Sequence, residues 1–200
     1  TIDVPNACIQ TDVENNSDGS RVIMKIRGPL VGMLVELAPE VYEKFVVREG
    51  KNQDKVLYVR VLKAIYGMLK SALLFYRKLR SDLEQIGFVV NPYDICVANR
   101  MVDDKQQTIT WHVDDLKSSH VDSKVNDEFI EWLEKMYGDD ELGPVKAVRG
   151  PKHDYLGMVL DFSTPGEVKV EMTNYVKSMV EDFPEKLGQR QVSAPCTENL

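Results

Sequence analysis

The stretch from residue 95 to residue 119 constrains the fold more than any other part of the chain. Residues 95–102 and 108–113 are strand-like runs joined by the polar turn Asp103-Asp104-Lys105-Gln106, and residues 116–119 resume the strand character after Asp114-Asp115. Short runs with turn residues between them pair as antiparallel hairpins. Side chains alternate along a strand, so Ile109, Trp111 and Val113 share one face while Thr110, His112 and Asp114 share the other. The apolar set belongs to a core, so two consecutive carboxylates fall at the tip of a core-anchored hairpin.

The flanking sequence supplies the partners of this meander. Asn15-Asn16-Ser17-Asp18-Gly19-Ser20 is a cluster of turn formers and reads as a loop. Residues 21–27 and 57–62 read as strands, and residues 30–45 as two helical pieces broken at Pro39. A helix is predicted over 71–86, capped by Ser71 and stopped by Gly87, with Leu73, Leu74, Tyr76, Leu79, Leu83 and Ile86 on one stripe. A second helix, capped at Asp122 or Ser123, carries Val125, Phe129, Trp132, Leu133 and Met136. Residues 145–148, 153–162 and 167–172 are strand-like, the last two joined by Ser163-Thr164-Pro165-Gly166, and a final helix lies near 175–183. Antiparallel strands interleaved with amphipathic helices define an α+β chain, an antiparallel sheet with packed helices in a ferredoxin-like, split βαβ arrangement.

Composition narrows the class. Of the 200 residues 43% are apolar and 28% charged, enough for a real core. Apolar runs stop far short of the about 20 residues needed to span a bilayer, so no membrane partner is expected. The start, Thr1-Ile2-Asp3-Val4-Pro5, lacks an initiator Met and a secretory leader, and the segment is expected to be cut from a longer polyprotein. Cys8, Cys96 and Cys196 are widely spaced, which argues against a disulfide framework and for an intracellular setting. His112, His120 and His153 match no compact zinc spacing. The net charge of −7 is awkward for a nucleic-acid binder. Between Lys55 and Ser81, however, there is no acid, while Lys55, Arg60, Lys63, Lys70, Arg77, Lys78 and Arg80 form a basic island. Such an island is a solvated helix face or a phosphate contact.

Taken alone, Asp114-Asp115 is ordinary turn chemistry. Anchored to a core it becomes a cation site, because adjacent carboxylates raise each other's pKa unless a cation compensates. Mg²⁺ takes carboxylate oxygens and keeps positions for water and phosphate, and a pair needs one further carboxylate to hold two ions. Asp3 is the candidate.

Several segments carry a resemblance. Leu62-Lys63-Ala64-Ile65-Tyr66-Gly67-Met68-Leu69-Lys70-Ser71-Ala72-Leu73-Leu74-Phe75-Tyr76 resembles the K-A-L-Y-G-L-K-Q-A-P-R-A-W-Y segment of copia-type retrotransposon reverse transcriptases. His112-Val113-Asp114-Asp115 is similar to their Y-V-D-D box, Asp3-Val4-Pro5-Asn6-Ala7-Cys8 to D-V-x-x-A-F, and Tyr155-Leu156-Gly157-Met158 to F-L-G-I. Ala194-Pro195-Cys196-Thr197-Glu198-Asn199-Leu200 resembles the stretch before the connection to RNase H. Each motif is weak alone, and their order spans almost the whole chain.

The resemblance implies an incomplete reverse-transcriptase domain over 1–200, with a polymerase palm and its metal motifs over about 1–120 and the palm end and primer-contacting region over 121–200. It implies RNA-directed DNA polymerisation, with Asp3, Asp114 and Asp115 catalytic. These three and the Val4 carbonyl would hold two Mg²⁺ ions, replaceable by Mn²⁺. Ala7, Cys8, Gly67, Lys63 and Lys70 would meet the nucleotide, and His112, Tyr155, Leu156 and Gly157 the primer. Tyr66 and Phe75 would face nucleic acid with the basic island, and Tyr76 the core. Implied partners are an RNA or DNA template-primer, dNTP, and the RNase H and integrase parts of the Pol polyprotein. The implied location is cytoplasmic, within virus-like particles.

The chain departs from the family pattern at His112 for Tyr, at Cys8 for a bulky aromatic, and at Lys70 and Ala72 for Gln and Pro. The smaller thiol implies weaker rejection of ribonucleotides, and His112 a loss of activity at mildly acid pH. Two other functions fit the same residues. One is a degenerate, non-catalytic nucleic-acid-binding transposon remnant. The other is a metal-dependent phosphohydrolase with His112 as the base.

Overall fold

The computed structural model describes residues 1–15 and 19–184; the expected 194–200 motif, Cys196 and residues 16–18 of the expected loop lie outside the described residues. The chain divides into two compact units, Thr1–Ala147 and Val148–Leu200. In the first, strand β1 (Ile2–Asp3) and a 3-10 turn (Ala7–Gln10) precede β2 (Ile23–Arg27), α1 (Pro29–Leu37), the single-turn α2 (Pro39–Tyr42), β3 (Val46–Glu49), β4 (Asp54–Arg60) and α3 (Ser71–Gln85). Then come β5 (Val89–Val90), β6 (Val97–Val102), β7 (Lys105–His112), β8 (Asp115–Ser119), α4 (Ser123–Tyr137) and β9 (Lys146–Ala147). The strands build two antiparallel sheets, β5-β6-β7-β8-β1-β9 and β2-β4-β3. The fold class is α+β, as the alternating strands and amphipathic helices require.

Register explains the large sheet. Ile2 pairs with Leu116, and Leu116 with Trp111, so these three apolar side chains share one face across three strands. That face is covered by α3 and α4, whose Phe75, Leu79, Leu83, Phe129, Leu133 and Tyr137 join Ile2, Val4, Ala7, Ile109, Trp111 and Leu116 in one core. The hairpin between β6 and β7 is tighter than expected, because Val102 pairs directly with Lys105 and leaves a two-residue turn. Asp103 and Asp104 both take positive φ, 49° and 57°. Asp tolerates that region, and the left-handed pair matches the strand twist, so the strand starts three residues earlier than its apolar pattern suggests.

Helix α3 begins and ends where the sequence places it, and Gly87 leaves it at φ 90°. Its buried face differs from the expected stripe. Ser71, Phe75, Leu79, Asp82 and Leu83 point inward, and Leu73 is 47% exposed. Phe75 therefore belongs to the core and does not face a ligand, while Tyr76 stacks on Trp111 with ring centroids 6.2 Å apart. Nor does the Ser71 hydroxyl cap the helix. It donates to the Ile65 carbonyl at 2.6 Å and closes the turn ahead of α3. Asp122 does cap α4, accepting from the Lys124 N–H at 2.9 Å. The buried Asp82 carboxylate accepts from the Tyr137 hydroxyl of α4 at 2.5 Å and from Lys78 at 2.9 Å.

In the second unit the expected continuous strand over 153–162 is a hairpin. β10 (Lys152–Tyr155) reverses into β11 (Met158–Asp161) through Leu156 and Gly157, at φ 51° and 77°. β12 (Lys169–Glu171) pairs with β11, and α5 (Thr173–Glu181) follows. A side chain at position 157 would meet the Tyr175 ring at 3.1 Å, so both the backbone conformation and this approach call for glycine. No helix among the described residues is long and apolar enough to cross a membrane.

The Asp82–Tyr137 bond links the two core helices. Tyr137→Phe, which keeps the ring, is expected to lower stability by about 0.5–1.5 kcal/mol, and Asp82→Ala, which strands a buried donor, by about 1–3 kcal/mol. Urea denaturation at neutral pH measures both; an Asp82→Ala midpoint equal to wild type would remove this link from the stability argument.

Candidate functional site

The register that buries Ile2, Leu116 and Trp111 turns the neighbouring row outward. Asp3 pairs with Asp115 across β1 and β8, and Asp115 with His112 across β8 and β7. Directly opposed residues carry their side chains on the same face, with Cβ atoms about 4.5–5.5 Å apart. Asp3, Asp115 and His112 thus form one row on the face away from the core. Asp114 sits in the turn beside them, and its carbonyl accepts the Val4 N–H at 3.1 Å. Val113, the turn residue before it, has φ 54°. For a β-branched residue this left-handed conformation is strained, and the neighbouring pairing of His112 with Asp115 holds it.

Two further side chains close around Asp114. The Tyr66 hydroxyl donates to Asp114 Oδ2 at 2.7 Å, and burial, followed by the bond to Asp114, pushes its phenol well above the ordinary range. The Cys8 thiol, only 2% exposed, is pushed up by burial and then by the Asp114 charge. Asp115 is raised by burial, then by Asp114 and Asp3, with His112 opposing. In each case burial is the larger cause and the neighbouring acids the smaller one.

An all-oxygen carboxylate set suits Mg²⁺. The upward shift of Asp115 comes first from burial and second from the neighbouring Asp114 and Asp3. Among the described residues, however, no group of three or more His, Cys, Asp or Glu side chains is gathered closely enough to hold a metal ion. The two observations concern different levels of structure. Pairing sets the backbone positions of Asp3 and Asp115, whereas the Tyr66 bond engages the Asp114 carboxylate. The backbone brings the three acids near one another, and their side chains do not form an ion-holding group.

The remaining expected residues are placed as follows. Val4 and Ala7 are buried at 1% and 0%, which leaves the Val4 backbone as its polar contribution. Gly67, at φ 90°, is exposed in the turn that presents Tyr66. Lys63 is drawn to Asp12, 2.7 Å away, and Lys70 lines a groove with Met68, Leu69, Leu73, Leu74 and Arg77. Tyr155, Leu156 and Gly157 form the β10–β11 reversal of the second unit. Sequence reasoning counted Tyr66 among the aromatics of the basic stretch and missed its bond to Asp114; its place just before a turn glycine was the available signal.

No protein-family model, no curated protein and no solved structure matches this chain.

A carboxylate raised on folding binds more protons in the native state, so its contribution to stability is present below its ordinary pKa and lost as pH rises through the raised value. Asp115→Asn should therefore melt above wild type at pH 7 in EDTA, with the gap closing as the pH is lowered toward the ordinary value of 3.8. Thermal melts across this range check the sign; a variant less stable than wild type at pH 7 would contradict it.

Proposed function

We propose that the chain is a palm-containing segment of a copia-type retrotransposon reverse transcriptase and that its chemistry is RNA-directed DNA polymerisation. The observation that carries this reading is the pairing of Asp3 with Asp115 beside the Val4–Asp114 bond. It brings carboxylates more than a hundred residues apart in sequence side by side on adjacent strands, on the face the core does not use. The strand order β7-β8-β1-β9, with α3 lying between β1 and β7 in sequence and α4 between β8 and β9, follows the split βαβ scheme expected of a palm.

Asp3, Asp114 and Asp115, with the Val4 carbonyl, would hold the ions. Bound there, two Mg²⁺ would lower the pKa of a primer 3′-hydroxyl and hold the triphosphate and the leaving pyrophosphate. The chain's own contribution is placement. The β1–β8 register fixes the separation of Asp3 and Asp115, and the strained Val113 turn fixes Asp114. His112 extends the row beyond Asp115, where it would meet the primer. Lys55, Arg60, Lys70 and Arg77 are exposed cations available to phosphates, whereas Lys63, Lys78 and Arg80 are engaged by Asp12, Asp82 and Glu84. Those three ion pairs shrink the basic island on which nucleic-acid affinity would depend.

A non-catalytic nucleic-acid-binding remnant is the second reading, favoured by carboxylates that are not drawn together. Primer extension on an RNA template with Mg²⁺ and dNTP separates the two. Asp114→Asn is expected to slow extension by about 10²–10³-fold, the usual effect of losing one electrostatic group in a reacting centre. Equal extension by both proteins would sink the mechanism, and template-primer binding without extension by either would support the remnant.

A further inference from the structure

We propose that the groove between Val13, Val22 and the first two turns of α3 binds an amphipathic monoanion, a carboxylate or sulfonate head on an apolar body. The groove holds about 440 Å³, inside the range of roughly 300–1,000 Å³ usual for small-molecule sites. It gives a place to Leu73 and Leu74, which are apolar and at helical spacing yet stay out of the core. With Phe75, Leu79 and Leu83 turned inward, Lys70, Leu73, Leu74 and Arg77 fall on a separate stripe at i, i+3, i+4 and i+7, and all four line the groove. Lys70 already belongs to the helical turn, since its carbonyl accepts the Leu74 N–H at 2.9 Å. At about 1.5 Å per residue the stripe is about 10 Å long. Two leucines therefore lie between a cation at either end.

The walls are braced independently of any ligand. The Val13 N–H donates to the Leu62 carbonyl and the Val61 N–H to the Val22 carbonyl, each at 2.9 Å, so both valines are tied to the same extended segment. Apolar surface is left in water along this groove, with Leu69 99% and Leu73 47% exposed, and covering it is favourable. The charges decide the occupant. Among the described residues neither Lys70 nor Arg77 has a carboxylate partner, whereas Lys63, Lys78 and Arg80 do. The leucines between the two cations offer a bare phosphate nothing to pack against, and Glu14 on the same lining repels a second negative charge. An apolar body with a single head uses both features. Its body covers Leu73 and Leu74, and the planar fork of the Arg77 guanidinium matches a carboxylate or sulfonate. The groove shares no residue with the row of Asp3, Asp115 and His112 or with Asp114, so its ligand is independent of the polymerase reading.

The test is fluorescence titration of the full chain with anilinonaphthalene sulfonate, for wild type, Arg77→Glu, Leu73→Asp and Lys105→Glu. Lys105, exposed at the start of β7 and outside the groove, controls for the change of net charge. Wild type should take one probe per chain, released by decanoate and retained in the presence of equal decanol or inorganic phosphate. Arg77→Glu should bind the probe about 10–100-fold more weakly, the effect of losing a charge-assisted bond. Leu73→Asp should also weaken it, with an unchanged urea midpoint, and Lys105→Glu should bind like wild type. Five outcomes overturn the proposal. They are the absence of a saturable site; equal binding by Arg77→Glu; release by decanol as readily as by decanoate, which makes the groove merely apolar; release by phosphate or oligothymidylate as readily as by decanoate, which returns the cations to nucleic acid; and loss of the probe site as chain concentration rises, which means that a second copy covers it.

Discussion

The pairing of a two-residue strand, β1, between β8 and β9 is the constraint on which the candidate site depends. So short a strand has few ladder bonds with which to choose its register. Burial makes the choice, because Ile2 and Val4 are 4% and 1% exposed while Asp3 lies between them. Burying an Ile or Val side chain stabilises by about 1.5–3 kcal/mol. A slip of one residue would turn both outward and drive the Asp3 carboxylate into the core, where an unpaired charge is far more costly. The same alternation that builds the core thus presents the acid.

Polar networks fix how the helices meet this sheet. Gln107 shares the inward face with Ile109 and Trp111 and is fully buried. Its amide is satisfied on both sides: it accepts from Arg100 at 2.7 Å and donates to Ser118 at 3.1 Å, and Ser118 donates to Asn126 of α4 at 2.6 Å. Asp82, Lys78 and Tyr137 do the same between α3 and α4. A buried polar group left unmatched costs free energy, so these bonds penalise alternative packings more than they add net stability. They hold α4 at one position behind the sheet, and through β7 and β8 they hold the turn that carries Asp114.

Much of this was readable from residue order. The meander, α3 and α4, and the split of apolar and acidic faces at 109–116 follow from alternation and helical spacing, signals that depend on burial alone. The errors arise where two local patterns are equally apolar. On α3, Leu73 and Leu74 compete with Phe75, and only the position of α4 decides that Phe75 turns inward. Over 153–162 the alternation changes phase at the reversal, because Tyr155 pairs with Met158 three positions on, and Leu156 gives no warning of its positive φ. The basic island was a property of composition, and Asp12, which neutralises Lys63, lies well outside it in sequence. The row of Asp3, Asp115 and His112 needed the strand pairing before it could be seen as one surface.

The identity of the donor beside Asp114 bears on what such a site can do. A Lys or Arg in place of Tyr66 would also orient the carboxylate, but its positive charge would satisfy Asp114 electrostatically and weaken the pull on a divalent ion. A phenol supplies direction and leaves the full negative charge in place. Asp115 is raised first by burial and then by Asp114 and Asp3, and neither Tyr66 nor Cys8 brings positive charge beside it. Folding brings these acids together through the burial of Ile2, Val4, Trp111 and Leu116, and it also sets Lys146 of β9 directly opposite Asp3. The core thus decides where the acids stand, and the residues around the carboxylates decide how each one is oriented.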